Sequence, residues 1–511
     1  MLVPDEPLNK DSIISNLRTE NIKLLEANKN YIAQISLLEE QLRLSKQKKY
    51  GKQTEQTSTL QMMLFDEFPK PEQKPEPESE TITYTRKKTP KSTGRKIDTS
   101  KFSRERIEYD LNAEDKKCSC GHELSKIGED TSEQVDYIPA SIKVIEHARF
   151  KYCCKHCQTI KSADKPEQPL GKCMATERFV ADVIVNKYQY HLPLYRQSKM
   201  LSHIGADIPD NTLGNWVMNA ADALYPLSTA MWEQINAVKV LQADESPVKV
   251  LEQDKKGYMW GYHSCDIDNR FIMFEYSLSR GGEIPENRLS SYTGILQTDA
   301  YGGYNGLRAN PNIINIGCWD HCRRKFADAI KVNNNNRTGL AGQIFKLINK
   351  LYDIERDIKN VSFDERYKIR QDKSKPILTK IYKILSGSSP FPKSLLGKAI
   401  TYAINNKTEL IAFVEHGDVE ISTCWIENQI RPLAIGRKNW MFVGNVISAN
   451  KAALLYSLIQ TCILNDIDPR AYLVYVLRQS HKLRRKEIEP ASILPQFIDN
   501  SLLTIAQHVE N

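Results

Sequence analysis

The chain has 511 residues, with 71 Lys+Arg against 63 Asp+Glu and a formal net charge of +8. At about 150 residues per domain that length allows three or four domains, and so mild a surplus excludes a histone-like polycation while permitting a nucleic-acid partner on clustered positive patches. No basic-then-apolar leader opens the sequence, and its longest mostly apolar stretch, residues 452–464, is broken by Ser457, Gln460 and Thr461 and is too short for a bilayer. No membrane partner is expected, and the 11 cysteines are expected to meet a reducing compartment, where clustered thiols suggest metal and scattered ones core.

In chain order, residues 11–50 come first. Ile14, Leu17, Asn21, Leu24, Asn28, Tyr31, Ile35, Leu38 and Leu42 recur in steps of three and four. The pattern predicts a dimerising coiled coil rather than a helix packed on its own domain, and the two asparagines at a positions favour a parallel pair in one register. Residues 51–104 are rich in Gln, Thr, Pro, Glu and Lys and read as a disordered linker. The basic run from Arg86 to Lys96 is either a solvated tether or a phosphate-contacting arm.

Residues 105–165 hold Cys118-Ser-Cys120-Gly-His122 and Cys153-Cys154-Lys-His-Cys157. Cys118, Cys120, Cys154 and Cys157 can close a tetrahedral Zn2+ site, with His122 or Cys153 as substitutes because the first pair is tighter than zinc-ribbon spacing. A small loop-rich module needs such a staple. Residues 166–235 read as helices. Within them, 203–216 predict a helix, a Gly-containing turn and a second helix capped near Asp210 or Asn211, compatible with a DNA-binding helix-turn-helix.

Residues 236–478 form the largest block. Strands are predicted at 237–250, 258–264, 271–276, 294–298 and 313–316, followed by mostly helical sequence to about residue 407. Three strands in a meander, then strands alternating with helices, predict a mixed sheet with helices packed on it. Residues 479–511 are a tail.

Asp244 lies toward the end of the first of these strands and Asp299 ends the fourth. Two carboxylates on adjacent strands repel unless a cation lies between them. Mg2+ takes such oxygens and keeps waters for a substrate, and a third carboxylate from a helix would complete a two-metal site. Glu415, Asp418, Glu420 and Glu427 are the candidates. Arg323, Arg324 and Lys325 open a helix nearby, and Arg431, Arg437 and Lys438 follow Glu427. Such clusters suit a DNA backbone, or else a solvated basic face. His321 and Cys322, without matching partners, read as core or supporting groups rather than metal ligands.

These motifs together resemble bacterial transposases of the insertion-sequence-66 family, a branch of the DDE transposases. The likeness runs through Lys48-Lys-Tyr-Gly51, the two cysteine knots, Lys187-Tyr-Gln-Tyr-His-Leu-Pro-Leu-Tyr-Arg-Gln197, Asp244-Glu-Ser-Pro-Val248, Leu296-Gln-Thr-Asp299-Ala-Tyr-Gly-Gly-Tyr304, Cys318 to Phe326, and Glu427 to Trp440. The resemblance implies a multidomain α+β protein. It would carry a coiled coil, a zinc module, a helical DNA-binding segment and an RNase-H-like mixed α/β catalytic domain with a helical insertion at about 331–410. It makes Asp244, Asp299 and Glu427 the catalytic triad, selecting Glu427 over its rivals. Two Mg2+ ions are expected, bridged by Asp244, with Asp299 and Glu427 each completing one shell. The implied activity is Mg-dependent cleavage of insertion-sequence ends and strand transfer into target DNA. The protein would act as a homodimer or higher oligomer in the nucleoid-associated bacterial cytoplasm, alongside small accessory proteins of the same element.

Two departures stand out. The family usually carries Asp-Asn-Asn shortly before its Glu, where this chain has Ser422, Thr423 and Cys424, and Cys-x-x-Cys where this chain has Cys118-Ser-Cys120. The first motivates an alternative, a catalytically decayed protein that binds DNA ends.

Overall fold

The computed structural model describes residues 10–50, 142–153, 160–162, 170, 171, 173–252, 256–333 and 337–503. The chain divides into two units, residues 65–148 and the remainder. Of the first unit, 142–148 are described; they form no regular element and are exposed. Cys118, Cys120, His122, Cys154, Cys157 and the basic linker run lie outside the described residues.

In the larger unit, helix α1 (Lys10–Tyr50) is 41 residues long, about 60 Å of continuous helix. Its seam residues Ile14, Leu17, Leu24, Tyr31, Ile35, Leu38 and Leu42 are all exposed. Strands β1 (Lys151–Cys153) and β2 (Ile160–Ser162) form an antiparallel hairpin in which Cys153 pairs with Ile160.

Helices α2 (Glu177–Tyr188), α3 (Leu194–His203), α4 (Asp210–Ala223) and α5 (Tyr225–Glu233) follow. The Thr176 hydroxyl caps α2 at Phe179 N, and Val180, Val183, Ile184 and Tyr188 are buried at helical spacing. Pro209, not Asp210 or Asn211, occupies the cap position of α4, and no side chain caps it. These helices share one hydrophobic core with the sheet and the C-terminal helices. The boundary expected near residue 235 therefore does not separate two bodies.

The sheet comprises β3 (Val240–Val248), β4 (Gly257–Ser264), β5 (Ile272–Ser277), β6 (Gly294–Thr298) and β7 (Ile313–Gly317), in the order β5-β4-β3-β6-β7. The first three strands pair antiparallel, while β6 and β7 join parallel to β3. Helices α6 (Glu283–Arg288) and α7 (Asn305–Arg308) lie in the connections around β6.

A helical block follows: α8 (Trp319–Val332), α9 (Leu340–Asp357), α10 (Phe363–Ile369), α11 (Lys375–Ser386), α12 (Leu395–Asn405) and α13 (Lys407–Ala412). It has a second core, in which Trp319, Phe326, Ile344, Leu351 and Leu385 meet Val240, Ile295 and Ile316 of the sheet. Fully buried Arg370 anchors the block. Its guanidinium pairs with Glu355 and donates to the carbonyls of Phe413 (3.1 Å) and Val419 (2.8 Å), so the buried charge is both paired and hydrogen-bonded. Glu40 of α1 accepts a hydrogen bond from Leu395 N (2.9 Å).

Helices α14 (Cys424–Trp440), α15 (Val446–Leu464) and α16 (Pro469–Arg484) complete the unit. Among the described residues α15 is the helix long and apolar enough to cross a membrane, and about two-thirds of it is buried. It begins six residues before the apolar stretch at 452–464, so length alone does not set it apart from a membrane span. Two of its polar interruptions instead serve the sheet edge: Ser457 Oγ accepts from Phe274 N (2.8 Å) and Thr461 Oγ1 from Ile272 N (3.2 Å). The edge strand β5 is thereby covered and satisfied. The expected boundary at 478 falls inside α16. Leu483, Ile493 and Leu494 are core residues and Tyr472 OH donates to Ile493 O (3.0 Å), so the first part of the supposed tail belongs to the folded unit.

Candidate functional site

The parallel ladder between β3 and β6 pairs Gln242 with Gln297. Two residues further along β3, on the same face, stands Asp244, and two residues after Gln297, just past the end of β6, stands Asp299. Opposite Asp244 on β4 is Gly261. A Cβ there would sit 3.1 Å from Ile426 Cδ1 and 3.2 Å from Phe274 Cε1. The glycine leaves room for α14 to lie close to the sheet beside Asp244.

Helix α14 runs along β3 in the same chain direction and is tied to it along its length. Ile426 N donates to Gln242 Oε1 (3.0 Å) near its start, and Arg437 Nη1 donates to Ser246 Oγ (2.8 Å) near its end. Beyond the helix, Val250 and Val443 form a parallel bridge. That course brings Glu427, one residue after Ile426, close enough for its charge to act on Asp244 and for Asp299 to act on it.

The rival carboxylates are turned elsewhere by partners of their own. Glu415 pairs with Lys375 (3.1 Å), Asp418 with Lys239 (2.5 Å) and Glu420 with Arg366 (3.3 Å).

Electrostatics reports the crowding. Burial pushes the Asp244 carboxyl well above the usual carboxylate range, and the charges of Glu245, Asp299 and Glu427 push it further. Burial also raises Glu427, with Arg324 and a hydrogen bond from the Thr423 side chain opposing it and Asp320 and Asp299 adding to it. Glu427 Oε1 is buried with no hydrogen-bond partner. Two carboxyls whose ionisation is disfavoured, Asp244 and Glu427, stand with Asp299 as hard oxygen donors, one carrying an orphaned oxygen; that set fits a Mg2+-type cation.

A second set of donor atoms borders the first. Cys318, His321 and Glu427 bring Sγ, a ring nitrogen and a carboxylate oxygen within 4.8 Å of one another. The thiol is already engaged, accepting from Thr423 N (3.3 Å) and Thr423 Oγ1 (3.1 Å). Burial, with the charges of Asp320 and Glu427, pushes it up to about 12. Cys318 thus brackets the segment before α14 through Thr423. Burial lowers His321, with the Arg324 charge acting the same way, so at neutral pH its 3.8 Å approach to Glu427 is not an ion pair.

Local pattern missed a neighbouring group. Glu245, whose side chain is almost fully buried, takes Arg280 Nε (2.9 Å), Arg280 Nη2 (2.6 Å) and Tyr304 OH (3.2 Å). Half-exposed Arg280 lies 4.0 Å over the Tyr301 ring. The consecutive acids in Asp244-Glu245 were the available signal.

The predicted basic residues separate. Arg323 is buried, with Nε on Asn349 Oδ1 (2.8 Å) and its guanidinium 4.9 Å over the Tyr352 ring. It faces the second core and is corrected from a DNA contact to a packing residue. Arg324 is partly exposed and reaches Glu427 Oε2 (3.7 Å). Lys325 is exposed over the Tyr402 ring (4.7 Å). Arg431 and Lys438 are exposed, whereas Arg437 is engaged with β3.

The described fold and site are those of a mixed α/β protein with a carboxylate cluster on its central strands. Residues 172–451 match the model of the Transposase IS66 family, residues 115–158 that of the zinc-finger binding domain of transposase IS66, and residues 37–107 one described as transposase C of IS166 homeodomain. The chain belongs to the IS66 transposase family. It is similar to two proteins of Sinorhizobium fredii (strain NBRC 101917 / NGR234), both described as uncharacterized. To y4hP it is 33% identical over 70% of each chain. To y4jD it is 31% identical over 73% of this chain and 76% of the relative. The zinc-finger match supports a zinc site in residues 115–158.

Proposed function

We propose that this transposase cuts the ends of its insertion sequence and joins them to target DNA by Mg2+-dependent phosphoryl transfer at Asp244, Asp299 and Glu427. The observation that carries the reading is the convergence of three carboxylates from β3, the end of β6 and α14, with rival acids paired elsewhere. The sheet order β5-β4-β3-β6-β7, with three antiparallel strands and two parallel ones, supports an RNase-H-like catalytic domain.

Asp244, Asp299 and Glu427 would hold the cation, and the Asp244 carboxyl feels the charge of both others. Mg2+ bound by these three carboxylates would supply Lewis acidity for phosphoryl transfer. Arg324, Lys325, Arg431 and Lys438 neutralise phosphates of the bound strand, and Arg280 extends that charge past Glu245. His321 stands beside Glu427, its Nδ1 3.8 Å from Oε1. The zinc module and helices α2–α4 hold the transposon end, and α1 pairs protomers through its exposed seam. Accessory proteins of the element would act on this assembly.

The alternative is an end-binding protein without catalysis, motivated by Ser422, Thr423 and Cys424. Against it, Ser422 and Thr423 are buried, and Thr423 is bonded to Cys318, so the segment before Glu427 has support of another kind. A cleavage and strand-transfer assay on cognate ends with Mg2+ discriminates the two. Mg2+-dependent products support the transposase reading, and tight end binding without product supports the decayed one.

A further inference from the structure

The strands that carry the aspartates also carry two fully buried glutamines, Gln242 and Gln297. Gln242 Nε2 donates to Gln297 Oε1 (2.8 Å) and to Ser422 O (3.1 Å), and its Oε1 accepts from Ile426 N (3.0 Å). Gln297 Nε2 donates to Glu420 O (2.8 Å). The paired amides therefore reach off the sheet and grip the backbone of residues 420–426, the segment that leads into Glu427.

The bond to Ile426 N is informative. A helix leaves its first amide groups without intrahelical partners, and a capping side chain usually takes one. Thr423, at the cap of α14, makes no such bond; its hydroxyl serves Cys318 and the Glu427 carboxylate instead. A strand residue supplies the missing acceptor instead. Gln242 thus caps the helix that bears Glu427, while standing two residues before Asp244 on the same face of β3. Gln297 stands two residues before Asp299, which lies just past the end of β6. A one-residue slip of either strand would turn its glutamine to the opposite face and leave buried amides unpaired, so the network specifies a single register.

We infer that Gln242 and Gln297 are positioning residues, a latch between strands and helix that sets Glu427 against Asp244 and Asp299 and so determines cation affinity at the three carboxylates. The inference rests on the metal-site reading above and deepens it. It also assigns this chain a sheet-borne support for Glu427 in the segment where Ser422, Thr423 and Cys424 stand.

The test uses the full-length protein without DNA. Mn2+ binding is measured by electron paramagnetic resonance for the unaltered chain, Gln242→Met, Gln297→Met and Glu427→Gln, with thermal melting in EDTA and amide exchange at Ile426 alongside. Supporting groups around metal ligands typically change affinity 10–100-fold. Each glutamine variant is expected to weaken Mn2+ binding about tenfold while still melting cooperatively, and Gln242→Met is expected to lose protection at the Ile426 amide. A merely structural role would lower the melting temperature and leave the affinity of the folded protein unmoved. Mn2+ affinity within twofold of the unaltered chain in either folded variant overturns the latch. Should neither variant fold, the unaltered chain decides: slow exchange at Ile426 supports the latch, and free exchange overturns it. If Glu427→Gln binds Mn2+ as tightly as the unaltered chain, the three-carboxylate reading itself fails. If Glu427→Gln is weak and the glutamine variants are not, the latch alone fails.

Discussion

His321 Nδ1 stands 3.8 Å from Glu427 Oε1, and both atoms are buried without a hydrogen-bond partner. Two polar atoms so placed gain little from each other while the histidine is neutral, and burial keeps it so. The cost of this arrangement falls on the metal-free protein.

Stability should therefore rise when the charge is removed. Burial first, and then the charges of Glu245, Asp299 and Glu427, raise the Asp244 carboxyl. A carboxyl whose folded pKa lies above its unfolded value contributes stability below the unfolded pKa, and that contribution is lost as pH rises through the folded pKa. Above the ordinary carboxylate range the group therefore costs stability. Asp244→Asn is expected to raise the melting temperature in EDTA and to abolish most of the further rise that Mg2+ gives the unaltered chain. A lower melting temperature in EDTA would count against the electrostatic account.

The same shifts set a pH dependence for cation binding. Protons compete with the cation at Asp244 and Glu427, both raised. The Mg2+-induced thermal shift should grow with pH and reach half its full value above the ordinary carboxylate range, near pH 4. A shift already complete at pH 5 would mean that the carboxylates do not crowd one another.

Cys318 should be chemically inert in the native protein. Its thiol is buried and pushed up to about 12, so iodoacetamide at pH 8 should label it only after unfolding. Cys318→Ala leaves Thr423 N and its hydroxyl without their acceptor, a loss of about 1–3 kcal/mol measurable by urea unfolding.

Lys438 and Arg323 should part company in DNA binding. Lys438→Ala is expected to weaken binding across sequences and to reduce the salt slope by about 1. Arg323→Met should leave that slope unchanged and instead lower folding stability by about 1–3 kcal/mol, because Arg323 bonds Asn349 and packs on Tyr352 inside the second core.

That contrast shows where the sequence was legible. Arg323, Arg324 and Lys325 read as one basic run, but consecutive helical residues point about 100° apart, and only the position of α9 tells which one is enclosed. Strands were easier. Residues 294–298 were predicted and found as β6 end to end, because a short apolar run between turn signals has few other uses. Asp244 and Asp299 stood out as acids on apolar strands. Glu427 did not stand out from Glu415, Asp418 and Glu420 by pattern; family likeness selected it, and the partners that occupy the other three, Lys375, Lys239 and Arg366, are tertiary. Gln242 and Gln297 were missed because their role exists only when β3, β6 and α14 are brought together.

Strand cleavage by Asp244→Asn tests the central claim most directly. Purified protein is incubated with a labelled cognate end and Mg2+, and nicked product is measured over time. The account predicts Mg2+-dependent product from the unaltered chain and a loss of at least about a hundredfold in Asp244→Asn, with end binding retained. Cleavage at the normal rate in the variant would contradict it.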